Sequence, residues 1–196
     1  MFYLQKKILK FSFSVFFVIA FFACANAMKS NHGLDGFIQG KIDAARNARM
    51  HSNMGNIYFE EKKYIAALKE YEIAYNLANK TQAAGAYLYN IARCYFVLGD
   101  YQLAKRVVLG AIQKDCMHIT YYQLLVDCFI KLETTEIELE KYINDTINPY
   151  NRIVVGLIYL KTDKKIQARA TFDDFVMTYP KMAITEEVKA ILRQMR

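Results

Sequence analysis

The stretch Met54-Gly55-Asn56-Ile57-Tyr58, followed by Tyr64, Ala67, Tyr71 and Ala74, returns 37 residues later as Ile91-Ala92-Arg93-Cys94-Tyr95, followed by Tyr101, Ala104, Val108 and Ala111. A further copy runs Val155-Gly156-Leu157-Ile158-Tyr159, then Ala168, Phe172 and Phe175, and stops at Pro180. Between them lies a weaker copy, Leu125-Val126-Asp127-Cys128-Phe129, followed by Tyr142. The anchors Gly55, Ala92, Val126 and Gly156 are separated by 37, 34 and 30 residues. Recurrence at this period is the signature of stacked supersecondary units. Apolar spacing is helical throughout, and no stretch demands a strand.

The recurring sizes have a mechanical reading. Each unit is two antiparallel helices. Gly55, Ala92 and Gly156 lie on the first helix where the second comes closest, and Ala67, Ala104 and Ala168 answer them from the second. Tyr58, Tyr95, Tyr159, Tyr71 and Phe172 fill the surrounding space, so that small and large residues interlock. Gly99 in Leu98-Gly99-Asp100-Tyr101 supplies a stop for a first helix. Pro180 ends the last second helix. In the third unit Glu138 and Asp145 replace the small residues, which predicts a short, shifted or distorted second helix.

Small and aromatic residues in this order resemble the tetratricopeptide repeat family over about residues 48–182. The resemblance implies an all-α fold, a right-handed α-solenoid of three to four helix pairs with a C-terminal capping helix. The pairs fall at about 48–81, 85–118, 119–148 and 149–182, and the cap at 183–196. In that cap Thr185 is placed to bond the first turn, with Glu186 and Glu187 beside it. Val188, Ile191, Leu192 and Met195 form its apolar stripe. A stacked array needs such a terminal piece over its last apolar face.

Outward from the repeats, the first 27 residues carry Lys6, Lys7 and Lys10, then an apolar run from Phe11 to Phe22, then Ala25-Asn26-Ala27. That order is a secretory signal peptide over 1–27, cut after Ala27. A rival exit at Ala23-Cys24 would attach lipid to Cys24, although Phe21 and Phe22 depart from the usual motif. Residues 28–47 form a lead-in and the start of the first helix, loose to Gly40 because Gly33, Gly36 and Gly40 crowd together. The chain carries a net charge of +7, and loss of the three leader lysines leaves +4. A mild excess without a dense basic stripe argues against a nucleic-acid partner.

Catalysis has no foothold. His32, His51 and His118 form no spaced metal pair, and Cys116 with His118 is two ligands short of a site. Phosphate loops and nucleophile elbows are absent. Asp173-Asp174 and Glu60-Glu61 are adjacent pairs, which point apart on a helix. Cys94 and Cys128 fall beside inward aromatics, as buried thiols do. Three cysteines in an oxidising compartment would permit one disulfide. No cofactor is expected.

What remains is a surface. By the family resemblance, first helices line an inner wall suited to a peptide or a helix. Its residues are Arg49, Ser52, Asn53, Asn56 and Phe59 in the first pair, Tyr89, Asn90, Arg93 and Phe96 in the second, and Gln123, Asp127 and Lys131 in the third. In peptide-binding members, first-helix asparagines hold the ligand backbone, which gives Asn53, Asn56 and Asn90 that role. Arg49 and Arg93 suit a carboxylate. The ending Ala168-Arg169-Ala170-Thr171-Phe172 to Tyr179-Pro180 resembles envelope repeat proteins. The expectation is an exported bacterial adaptor, periplasmic or secreted, that binds a protein or peptide. Its rivals are a membrane-anchored structural subunit of an envelope complex, facing the periplasm through Cys24 or an uncleaved leader, and a thiol-dependent enzyme.

Overall fold

A computed structural model describes residues 36–195. The signal peptide expected over 1–27, with Cys24 and Ala27, lies outside them. The chain divides into Met1–Arg46 and Asn47–Arg196. In the first unit the described residues, 36–46, are helical. This corrects the loose lead-in expected as far as Gly40. Gly36 and Gly40 meet no neighbour, while Gln39 Nε2 donates to Asp43 Oδ1 across one turn and Lys41 sits over the Phe37 ring. Such local pairs offset part of what glycine costs a helix.

The second unit is a run of antiparallel helices, with no strand among the described residues. The pairs are α1 (47–60) with α2 (Tyr64–Ala78), α3 (Ala84–Val97) with α4 (Tyr101–Lys114), α5 (Ile119–Lys131) with α6 (Thr135–Asn144), and α7 (Tyr150–Lys161) with α8 (Lys165–Thr178). A single helix, α9 (Thr185–Gln194), comes last. No described helix is long and apolar enough to cross a membrane.

The hinge inside every pair is the same object. Lys62, Gly99, Glu133 and Asp163 take positive φ, at 61°, 88°, 58° and 60°. The residue after each donates to an aromatic carbonyl five back: Lys63 to Tyr58, Asp100 to Tyr95, Thr134 to Phe129 and Lys164 to Tyr159. The left-handed residue donates to the carbonyl three back in each case. These paired bonds satisfy carbonyls that the helix end leaves open. Each left-handed residue comes seven after its anchor, Gly55, Ala92, Val126 or Gly156. The third unit is therefore in register, despite its weak sequence. Only the second hinge uses glycine.

The crossings behave as expected in three pairs. A Cβ on Gly55 would lie 2.7 Å from Tyr71 Cε1, and one on Gly156 would run into the Phe172 ring. The second pair has Ala92 with the smaller Val108, both fully buried. Sizes on the two helices trade against each other. Ala67, Tyr71, Ala74, Ala104, Val108, Ala111, Ala168, Phe172 and Phe175 are all shut from solvent. In the third pair Val126 would face Tyr142, with Glu138 and Asp145 where other pairs bury small or apolar residues. Two large residues cannot share one crossing, and lone carboxylates are costly to bury. Accordingly α6 spans 10 residues and buries none, and it packs more against α7 than against α5. Glu138 turns to Lys105 on α4, at 3.1 Å.

The main core runs from Ala92 and Val108 through α5 and α7 to Ile184, just before the last helix, and to Val188 and Ile191 on it. Capping by α9 therefore agrees with expectation, but Thr185 does not cap it. Thr185 is fully buried, and its hydroxyl donates to the Tyr179 carbonyl at 2.7 Å. Ile184 holds the cap position instead. Glu187 reaches back across 68 residues to accept the Ile119 N–H at 2.7 Å, closing the α5 N-terminus that His118 leaves uncapped.

Two substitutions test the packing. Gly156→Ala should lower the melting temperature, since overpacking costs roughly 1–3 kcal/mol against at most about 1 kcal/mol gained in helix propensity. Gly110→Ala, whose Cβ would meet only Leu88 at an ordinary 3.7 Å, should raise it. A third tests the hinge. Glu133→Gly should stabilise by about 1 kcal/mol, because a left-handed residue with a side chain is strained. Thermal melts of the three variants check both points.

Candidate functional site

The first helices α1, α3 and α5 meet at a depression lined by Phe59, Tyr89, Arg93, Phe96, Gln123 and Asp127, with Val97, Thr120 and Leu124. Its volume is about 290 Å³. Six residues expected from the sequence thus come together. Arg49, Asn53, Asn56 and Asn90 do not line it. Arg49, Asn53 and Asn56 are exposed elsewhere on α1. Asn56 is partly committed, since its Oδ1 accepts the Tyr71 hydroxyl at 2.7 Å. A tyrosine buried over a glycine needs a partner for its hydroxyl, and Asn56 provides it. Asn90 accepts a long bond from Arg93 Nη1, at 3.5 Å. Ser52 and Lys131 also fall outside: Ser52 is buried in α1, and Lys131 is exposed at the end of α5.

Arg93 is the centre. Its guanidinium carbon stands 4.2 Å from the Phe59 ring centroid and 5.8 Å from that of Tyr89. Both rings are held from behind. Phe59 packs edge-on to Tyr64, and Phe96 packs edge-on to Tyr101 in the equivalent place one pair on, each at 5.2 Å. Tyr89 stacks on Tyr121 at 4.8 Å. Stacking on aromatic faces suits a guanidinium, which keeps its donors in a planar fork. Among the described residues no carboxylate pairs with Arg93. Asp127 is already paired with Lys161 on α7 at 2.7 Å. The depression therefore presents an aromatic floor, one unneutralised cation and the amide of Gln123. Chemically this takes hold of an apolar or aromatic group next to a carboxylate or carbonyl.

Sequence reasoning missed Val97, Thr120 and Leu124. Thr120 and Leu124 precede Gln123 and Asp127 by three each, a spacing that shares one helix face. Val97 ends α3 beside Phe96 and carries no comparable signal.

No other chemical centre competes among the described residues. Cys94 and Cys128 are buried and Cys116 is half-buried, with no disulfide among them. Burial pushes the Cys94 and Cys128 thiols up to about 12. Nearby Arg93 and Lys105 only partly oppose this. Among the described residues no group of three or more His, Cys, Asp or Glu could hold a metal. His51 pairs with Glu70 at 2.7 Å and His118 with Asp115 at 3.1 Å, each a local contact.

No family model and no curated protein matches the chain. Solved structures similar to it include a tetratricopeptide repeat protein from Parabacteroides merdae, at 19% identity over 77% of this chain and 60% of that one, TM-score 0.49. The Arabidopsis OM64 tetratricopeptide domain matches at 16% identity over 77% and 98%, TM-score 0.40. The first such domain of Spaghetti, bound to an HSP90 peptide, matches at 16% identity over 77% and 91%, TM-score 0.44. Similarity at this level is slight, and the fold stands on the chain's own register of hinges and crossings.

Thiol labelling tests the burial. A neutral thiol is the poor nucleophile. Iodoacetamide on the folded protein at pH 8 should spare Cys94 and Cys128 while labelling Cys116, and peptide mass mapping reads this out. The raised values also carry a sign. The stability they confer is present below the ordinary thiol value of 9.0 and is lost as pH climbs towards about 12. The melting temperature should fall across that window.

Proposed function

We propose, starting from an all-α helical repeat of tetratricopeptide type, that this chain is an exported adaptor that holds a protein or peptide partner at the α1–α3–α5 depression. The carrying observation is Arg93. A cation stacked on Phe59 and left without a carboxylate is an unfilled binding capacity, and it sits between aromatics whose own positions are fixed. An extended or helical segment with an acidic group beside an aromatic or aliphatic residue satisfies both halves. Such charge-assisted contacts are strongest when bidentate and partly desolvated. Catalysis has no support from the two deeply buried thiols. The leader pattern at 1–27 argues for a periplasmic or secreted location, with envelope assembly, maintenance or secretion as the setting. Ala23-Cys24 argues for the alternative, a lipid-tethered subunit of an envelope complex. The mass of the mature N-terminus separates the two: a start at Met28 removes the tether, and a lipid on Cys24 installs it.

The partner is identified by crosslinking and co-purification with the full-length protein. Binding should then weaken at least about tenfold in Arg93→Ala with Gln123→Ala, while melting stays close to wild type. Arg106→Ala on α4, outside the depression, should bind normally. Equal binding by the double variant would remove the depression from the interface.

A further inference from the structure

The displaced α6 leaves a second space that the adaptor reading does not use. It is a cavity of about 290 Å³ between the end of α4, α5, α6 and the start of α7. Leu109, Ile112, Leu125 and Val154 form apolar walls with Tyr122, Tyr142 and Tyr150, and half-buried Cys116 with the exposed Gln113 and Asn148 completes the lining. Tyr122 and Tyr150 lie nearly parallel, 6.0 Å apart, so flat faces dominate. No charged side chain lines the cavity. A charged guest would lose its hydration and find no counter-charge, which excludes ions.

One polar side chain of the lining is buried. Asn151, at the start of α7, lines the cavity and is only 5% exposed. Its Nδ2 donates to the Asp145 carbonyl at 3.0 Å, which holds the amide in place. Its Oδ1 has no partner among the described residues. That oxygen is not among the polar atoms sealed from solvent without a partner, which are Thr134 Oγ1 and Arg152 Nη1. (Arg152 Nη1 does lie 3.2 Å from Asp174 Oδ2, as an ion pair without hydrogen-bond alignment.) Asn151 is a lining residue of the cavity, which puts its side-chain amide within reach of a guest there. By contrast the Tyr122 hydroxyl is occupied, donating to the Cys116 carbonyl at 2.9 Å. Buried acceptors normally have a donor, and this residue lines an uncharged room close to the lower size limit of ligand pockets.

We propose that this cavity binds a small uncharged aromatic molecule with a single N–H or O–H donor, its ring among the three tyrosines and its donor on Asn151 Oδ1. The cavity exists because Val126 and Tyr142 cannot close the third crossing. The three pairs with fitting crossings have their second helices packed down instead.

Indole is the probe, titrated into the full-length protein and followed by amide shifts. Saturable changes should cluster at Leu109, Asn151 and Val154. Indene has the same outline without the N–H and should bind roughly fivefold more weakly, as the loss of one hydrogen bond implies. Leu109→Trp, at a residue already 36% exposed, should fill the space and abolish the shifts with the melting temperature retained. Ile112→Trp serves as a second filling variant if the first melts early. Absence of saturable shifts with indole would overturn the site. So would unchanged indole binding in a folded filling variant. Equal affinity for indene would overturn the role of Asn151. None of these readouts involves the Arg93 depression, so failure here leaves the adaptor reading intact, and the reverse.

Discussion

Everything in the helical array depends on how closely the two helices of a pair can cross. The distance is set by one residue on the first helix and the residue 16 positions later on the second. Glycine admits a whole aromatic ring, as Gly55 does for Tyr71 and Gly156 for Phe172. Alanine admits only Val108. Because protein interiors are packed to crystal-like density, these trades leave no slack. A large residue on both sides leaves the second helix nowhere to go.

That constraint explains why the pairs differ although their hinges do not. The four left-handed turns share bonding and register, so the chain reverses at the same point each time. How deeply the second helix then packs depends on the crossing. After Glu133 the chain enters α6 with Tyr142 opposite Val126 instead of glycine and Glu138 where alanine belongs, and α6 goes outward, salvaging Glu138 through Lys105. Turn and crossing are thus independent instructions: one sets the direction of the chain, the other its depth of packing.

Most of the architecture was legible in the residues because both instructions are local patterns of size. Glycine and alanine at the anchors, aromatics around them and Glu138 in a place reserved for alanine foretold three tight pairs and one loose one. The hinges were less legible. Gly99 announces itself, but Lys62, Glu133 and Asp163 adopt the same backbone without the residue that favours it, forced by the helices on either side. The role of Thr185 was misjudged because a hydroxyl at a helix start can serve the helix or a neighbouring loop. Only burial against Tyr179 decides which. The Glu187 contact to Ile119 spans 68 residues and has no sequence signal. Tyr89, Arg93, Phe96, Gln123 and Asp127, expected on one wall from the family resemblance, all line the depression. On α1, Phe59 lines it too, whereas Asn56 is drawn to the Tyr71 hydroxyl.

The same packing limits how far a partner can reach along the first helices. On α7, Asn151 and all six residues from Ile153 to Ile158 are buried, because α5, α6 and α8 pack against this one helix and the core continues into the last helix. A helix covered so completely has no free wall to extend the depression. Lys161, at its end, reaches across to Asp127 and neutralises the last carboxylate of the α5 face. The accessible wall therefore ends at α5, and within the depression Arg93 is the charge left without an ion-pair partner among the described residues. On the proposed reading, a segment docking there would span three first helices rather than four, with its charged group beside the second.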